Sequence, residues 1–142
     1  MLPYFQFHHI GIATYRIDDT AAFYIAAGYE KTDTIYDPIQ NVHICFLKKD
    51  GMPMLELLEP NDDKSPVCKT LEKNGVMPYH CCYEVNSIEQ AAKDLRALRY
   101  VPVSKPEAAV AIDGRRIQFF FNKQVGLIEL VEKLNTEKIW KK

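Results

Sequence analysis

The sequence predicts an α+β fold of two tandem modules, each with the element order β-α-β-β-β. His9 recurs as His80 after 71 residues, and Glu56 recurs as Glu129 after 73. Two segments that contain the glutamates also align without gaps: residues 43–60 and residues 116–133. A repeat of this length that occurs only twice is unlike the units of roughly 20 to 50 residues in a stacked array. We therefore expect one domain, residues 1–142, made of two fused half-domains.

The first module, residues 5–60, is predicted from its alternation of apolar residues and its turn residues. Asp18 or Asp19 is the expected N-cap of its helix, and Gly28 is expected to end that helix. Asp50-Gly51 has the composition of a tight hairpin turn. The predicted strands are Phe5–Ala13, Glu30–Tyr36, Val42–Lys49 and Met52–Glu59.

A connecting segment, residues 61–77, precedes a second module over residues 78–133. Ser65 is the expected N-cap of a short connecting helix, with Pro66 at the first helical position. Ser87-Ile88-Glu89-Gln90 is a capping box that predicts the start of the second module's helix. The predicted strands are Tyr79–Val85, Arg99–Val103, Arg116–Phe121 and Leu127–Glu132. Ser104–Gly114 reads as a loop that borders a site, and residues 134–142 read as a charged tail.

Composition excludes several classes of protein. A net charge of −1 and a pI near 6.4 give no electrostatic footprint for nucleic acid. No stretch approaches the ~20 apolar residues of a membrane span, and the N-terminus has no signal-peptide pattern. The four cysteines show neither zinc-knuckle spacing nor a C-x-x-C motif, so reduced thiols are expected. These features predict a cytoplasmic protein that binds neither nucleic acid nor membrane.

The repeated glutamates lie where an exposed acid would be costly. In a strand, exposing Glu56 would also expose Met54 and Leu58, because side chains alternate between the two faces. Glu129 has Leu127 and Val131 on its own face. A buried carboxylate needs a cation or a proton. A single histidine or glutamate in a strand is more often structural, but the recurrence of both favours a metal site.

His9, Glu56, His80 and Glu129 are therefore the predicted ligands of one divalent metal ion. This mixed set of nitrogen and oxygen donors suits Zn, Ni, Co, Mn or Fe(II), and six-coordinate geometry leaves two positions open for a substrate. Such an ion makes removal of a proton next to a carbonyl feasible, and a ligand glutamate can act as the base. His8 and His43 have no histidine counterpart in the other half and are expected to be structural.

The motifs around these residues resemble the vicinal oxygen chelate, or glyoxalase, superfamily, and within it the methylmalonyl-CoA epimerases. They are FHHIGIAT, MLELLEP followed by Ser65-Pro66-Val67, YHCCYEV and GLIELVE. The resemblance covers almost the whole chain. It implies a cupped, incompletely closed mixed sheet with helices outside and the metal in the cup. It also implies Glu129 as an acid/base group, a small acyl-CoA substrate and a homodimer.

The sequence departs from the epimerase pattern at one position. The resemblance leads us to expect an acid/base glutamate within Asp37–Val42, where this chain has Ile39 and Gln40. One-base chemistry remains open, and a lactoylglutathione lyase acting on a hemithioacetal is the alternative. An extradiol dioxygenase or a thiol transferase would need only three of the four ligands. A non-catalytic binding or resistance protein of the same fold usually lacks these residues.

Overall fold

The computed structural model describes residues 1–134, so all but the first residue of the predicted charged tail lies outside the described residues. The elements of the first half follow the predicted order, and the expected single strand near residue 30 is two short strands. They are β1 (Gln6–Ala13), α1 (Ile17–Ala26), β2 (Glu30–Lys31), β3 (Ile35–Asp37), β4 (Val42–Lys48) and β5 (Leu55–Pro60).

The second half repeats this order after the connecting helix. Its elements are α2 (Val67–Asn74), β6 (Met77–Val85), α3 (Ile88–Ala97), β7 (Val101–Pro102), β8 (Glu107–Ala109), a 3-10 turn (Val110–Ile112), β9 (Arg115–Asn122) and β10 (Gly126–Glu132). The predicted loop Ser104–Gly114 therefore contains a strand and a 3-10 turn. None of the helices in the described part is long and apolar enough to cross a bilayer.

All ten strands of the described chain form one open, mixed sheet. Its order is β2-β4-β5-β1-β6-β10-β9-β7, with β3 on β4 and β8 on β9. The two halves meet at the antiparallel pair of β1 and β6, and each of these strands is parallel to the last strand of its own half. The predicted α+β class and mixed sheet are confirmed.

Three apolar clusters show which side of the sheet each helix covers. One cluster packs under α1 and another under α3, on the outside of the sheet. The third cluster joins the outer strands of the first half to those of the second half, which we call the two arms of the sheet. It contains Ile44 of β4, Ile117 of β9, Ile112 of the 3-10 turn, and Val67 and Leu71 of α2. The arms thus approach each other across the central strands, which gives the sheet the predicted cup.

A long-range contact caps α1, so the prediction that Asp18 or Asp19 caps it is wrong. The helix begins at Ile17, and its first N–H donates to Glu59 Oε1 at 2.7 Å. A carboxylate at a helix N-terminus also interacts favourably with the helix dipole. Because this acceptor lies 42 residues further along the chain, no local sequence pattern predicts the cap.

The helices of the second half agree better with their predicted starts. Ser87 caps α3 as expected and accepts from the Gln90 N–H at 3.2 Å, and Glu132 Oε2 accepts from the Ile88 N–H at 3.0 Å. The α2 helix begins at Val67 with Pro66 at the cap position, so the predicted N-cap, Ser65, lies one residue before the cap, where its Oγ accepts from the Val67 N–H at 3.4 Å.

Hydroxyl groups interrupt the outer strands of both halves in the same way. Thr32 Oγ1 accepts from the Phe46 N–H at 2.8 Å, and Ser104 Oγ accepts from the Phe119 N–H at 2.9 Å. A side-chain acceptor replaces a backbone carbonyl at each place, so the ladder stops and restarts. This contact explains why Glu30–Tyr36 is not one strand.

Candidate metal centre

Two β-bulges at the seam between the halves position the site. In the pairing of β1 with β6, His9 lies opposite Cys82 and Gly11 lies opposite His80. The register shifts at His8 in β1 and at Tyr79 in β6. An extra residue in one strand bends it and re-aims the neighbouring side chains, as bulges near active sites often do. Each bulge residue immediately precedes a predicted ligand histidine.

The four predicted ligands converge at this seam. His9 Nε2 lies 3.3 Å from Glu56 Oε1 and 3.1 Å from Glu129 Oε1. His80 Nε2 lies 3.5 Å and 3.2 Å from the same two oxygens. One donor atom from each residue falls within 4.8 Å of the others. We refer to His9, Glu56, His80 and Glu129 as the quartet.

The quartet is buried, yet within residues 1–134 inward atoms of three of its members have no hydrogen-bond partner. Relative exposure is 0% for His9, 3% for Glu56, 4% for His80 and 2% for Glu129. Within residues 1–134, His9 Nε2, His80 Nε2 and Glu129 Oε1 have no hydrogen-bond partner. Buried polar atoms are normally paired. Unpaired nitrogen and oxygen atoms around one point, with two carboxylates to balance a double positive charge, fit a divalent cation.

Electrostatics make the quartet attract positive charge of any kind. Burial alone would lower the pKa of His9, but the carboxylates of Glu56 and Glu129 raise it to about 10. The same carboxylates raise the pKa of His80 against the effect of its burial. Burial would raise the pKa of both glutamates, but the two histidines lower it. A metal ion must therefore displace protons from this site.

Aromatic rings and one glycine surround the ligand histidines. Phe46 packs edge-on against His9 at 5.6 Å between ring centroids, and Phe119 does the same to His80 at 5.4 Å. Tyr79 lies perpendicular to the His80 ring at 4.5 Å. A Cβ added to Gly11 would lie 2.1 Å from His80 Cε1, so the ring occupies the space above this glycine.

A cavity of about 290 Å³ lies near the quartet. Tyr79 and Phe119, which contact His80, also line it, so the cavity and His80 share these two neighbours, although no quartet residue is among those that line it. Further out, Lys105 and Glu107 contribute charges to its wall. Glu107 belongs to the segment predicted as a loop, and β8 brings it to the cavity.

Ile39 and Gln40 line the same cavity and are held in a fixed turn. The buried Asp37 carboxylate accepts from the N–H groups of Ile39 and Gln40 at 2.9 and 3.1 Å, and from Gln40 Nε2 at 2.9 Å. Neither residue brings a carboxylate to the cavity. The departure from the epimerase pattern is therefore located on the cavity wall.

His8 contacts the quartet residue His9, and the sequence did not predict this contact. Its Nδ1 lies 2.8 Å from His9 Nδ1, although alternation along a strand would place the two side chains on opposite faces. Burial, followed by the positive charges of His9 and Arg115, lowers the pKa of His8. The bulge causes the contact, and no spacing in the sequence predicts a bulge.

Comparison with known proteins identifies the class. The family model of the Glyoxalase/Bleomycin resistance protein/Dioxygenase superfamily matches residues 8–119. This match spans most of the chain, which therefore belongs to that superfamily.

The relatives of the chain include methylmalonyl-CoA epimerases. The human mitochondrial methylmalonyl-CoA epimerase is 31% identical over 130 residues, which cover 88% of this chain and 72% of the relative. A glutamate-to-glutamine variant of the Streptomyces coelicolor enzyme, solved in complex with 2-nitronate-propionyl-CoA, is 32% identical with a TM-score of 0.78, covering 90% of this chain and 96% of that one. The Mycobacterium tuberculosis epimerase, at 24% identity, shares the fold with a TM-score of 0.82 over 94% and 91% of the two chains. The predicted resemblance is confirmed.

Proposed function

We propose that this protein is a divalent-metal-dependent isomerase or epimerase that removes a proton next to a carbonyl group. The observation that carries the proposal is the convergence of the buried quartet, in which His9 Nε2, His80 Nε2 and Glu129 Oε1 lack hydrogen-bond partners among the described residues. His9, Glu56, His80 and Glu129 would hold one ion, with Zn, Ni, Co and Mn as candidates. The epimerase relatives support an enzyme of this type.

The residues divide the work around a substrate in the adjoining cavity. A bound divalent ion would draw electron density from the substrate carbonyl oxygen and so make the neighbouring C–H more acidic. Glu129 takes the proton from that carbon as a base and later returns a proton as an acid. Phe46, Phe119 and Tyr79 limit the access of water to the quartet, which strengthens its electrostatic interactions.

The cavity favours a small acyl group. Its size and mainly apolar wall suit an acyl thioester whose carbonyl reaches the quartet while the carrier extends outward. Because a relative was solved with an acyl-CoA analogue, an acyl-CoA thioester is the substrate class we propose. Cytoplasmic localisation and a homodimer remain predictions.

One observation keeps the second candidate function open. Ile39 and Gln40 provide no carboxylate to the cavity wall, so Glu129 is the proposed base without a partner carboxylate from this turn. A single base can move a proton between adjacent carbons of one substrate. A lyase acting on a hemithioacetal, as in lactoylglutathione lyases, needs this kind of transfer.

Proton exchange with solvent tests the proposal directly. The metal-loaded protein in deuterium oxide should incorporate deuterium at the α-carbon of methylmalonyl-CoA, detected by mass spectrometry, and a chelator should stop the exchange. Glu129→Gln should slow exchange by about 100-fold or more, because the amide cannot accept the proton. A hemithioacetal of glutathione and methylglyoxal serves as the second substrate. If methylmalonyl-CoA showed no exchange and the hemithioacetal were not isomerised, the proposed chemistry would be contradicted. A Glu129→Gln variant as active as the wild type would remove Glu129 as the base.

A further inference from the structure

His8 makes a contact with the quartet that the proposed chemistry does not use. It is the extra residue of the β1 bulge, and its half-buried ring lies 5.1 Å from the His9 ring at an interplanar angle of 74°. The closest atoms are the two Nδ1 atoms, which are 2.8 Å apart. At this distance one nitrogen must carry a proton and the other a lone pair.

The direction of this hydrogen bond follows from the geometry of His9. Its Nε2 is the atom that faces Glu56 and Glu129, so binding a cation there requires the lone pair on Nε2. A neutral imidazole then carries its proton on Nδ1. His9 Nδ1 is therefore the donor, and His8 Nδ1 accepts with its own proton on Nε2.

We propose that His8 is a positioning residue for the metal ligand His9. By accepting the Nδ1 proton, it selects the tautomer of His9 and fixes the ring so that Nε2 points at the ion. The proposal rests on the metal site of the proposed function but not on its substrate. Hydrogen-bond partners of ligand histidines change metal affinity by about 10- to 100-fold when they are removed.

The second half offers an internal contrast. Tyr79 occupies the bulge position before His80, and its ring lies perpendicular to the His80 ring. In the part of the chain that the structure describes, His80 Nδ1 has no hydrogen-bond partner. The acceptor supplied by His8 therefore orients one of the two ligand histidines only.

The first experiment measures Zn²⁺ affinity by competition with a chromogenic chelator. His8→Phe keeps a ring but removes the acceptor, and its affinity should fall about 10- to 100-fold. His8→Asn places an amide oxygen near the position of Nδ1 and should restore most of the loss. His43→Phe is the matched control, because the hydrogen bond and the ring contact that the structure gives His43 are to Asn61, at 3.0 Å, and to Tyr36. Thermal unfolding of the metal-free variants checks that each one folds.

The second experiment reads the tautomers without any variant. In long-range ¹H–¹⁵N spectra of the Zn²⁺-loaded protein, His9 should be protonated at Nδ1 and His8 at Nε2. The opposite assignment, or equal Zn²⁺ affinity in wild type and His8→Phe, would overturn the role of His8 alone. A wild-type protein that binds no Zn²⁺ would overturn the metal site, and the role of His8 with it.

Discussion

The two halves of the molecule place their ligand histidines by the same backbone device but surround them differently. In each half a bulge residue precedes the histidine: His8 before His9, and Tyr79 before His80. His9 is then oriented by a hydrogen bond, whereas His80 is held by packing between aromatic rings and against Gly11. The position of each ligand thus depends on strand register, and its orientation depends on neighbours that the repeat does not share.

The halves differ more at the cavity than at the quartet. The first half contributes the turn fixed by Asp37, and the second contributes β8 with Lys105 and Glu107 beside it. Each half supplies one histidine and one glutamate to the quartet. A near-symmetric ion site therefore adjoins an asymmetric cavity, as binding one asymmetric substrate requires.

The largest expected effect tests the equivalence of the two halves. His9→Ala and His80→Ala should each abolish tight metal binding, because each removes one of the four converging donors. The fold should persist with lower stability, because the three apolar clusters remain while the buried carboxylates of Glu56 and Glu129 lose one partner. Elemental analysis after dialysis measures metal content, and circular dichroism measures the fold. Unchanged metal content in either variant would break the equivalence.

A smaller effect should separate the two ring environments. Gly11→Ala would force the His80 ring to move, since the new Cβ would lie 2.1 Å from Cε1. We expect weaker metal binding and a loss of about 1–3 kcal/mol in stability from overpacking. Cys82→Ala, at the equivalent place opposite His9, adds no atoms and should weaken metal binding less. Equal metal affinities for the two variants would argue against packing as the device that holds His80.

The pH dependence of stability should differ between metal-free and metal-loaded protein. The folded-state pKa of His9, about 10, is above its ordinary value of 6.5, so its protonation stabilises the metal-free fold below pH 6.5. This stabilisation is lost as the pH rises from 6.5 through about 10. Loaded protein should lack this loss, because the histidines are already unprotonated.

Thermal unfolding midpoints across this range, with and without Zn²⁺, measure the difference. His9→Ala is the control, since it removes the titrating group. A metal-free midpoint that changes with pH equally in wild type and His9→Ala would contradict the assignment.

The smallest expected effect concerns the helix caps. Glu59→Gln and Glu132→Gln each weaken the acceptor for the first N–H of a helix. Loss of a helix cap lowers the free energy of unfolding by about 0.5–2 kcal/mol. Glu132 also pairs with Arg116 at 2.7 Å, so its substitution should cost more. Urea unfolding of both variants measures the two losses. A larger loss for Glu59→Gln would show that the ion pair contributes little.

The quartet could be predicted from the sequence because its signals are local and repeated. Glu56 and Glu129 each interrupt an apolar strand face, and each half carries one histidine at an equivalent place. The same reasoning reached the order of the elements and the N-cap at Ser87, whose contact with the Gln90 N–H lies within a few residues. The predicted capping box is only half formed, because the Gln90 side chain donates to Asp94.

The features that escaped prediction depend on contacts between distant segments. The bulge at His8 exists only relative to β6, and the cap of α1 comes from Glu59 in β5. The break after β2 depends on Thr32 bonding to β4. At each of these three places, local conformations of similar energy are available to the backbone, and tertiary contacts determine which one forms. Patterns in a single sequence therefore do not predict these features.

The quartet lies where the two halves meet, at the pair of β1 and β6. The connecting segment, residues 61–77, therefore affects the free energy of metal binding, because it holds the two halves together. Neither half contains a complete quartet, so the ion can bind only where both halves have come together. As a tether, the segment gives one half a high effective concentration around the other. If the tether were cut, the metal affinity would vary with protein concentration, and the ion itself would drive assembly of the two fragments. In the intact chain the covalent link removes the entropy cost of bringing two separate fragments together.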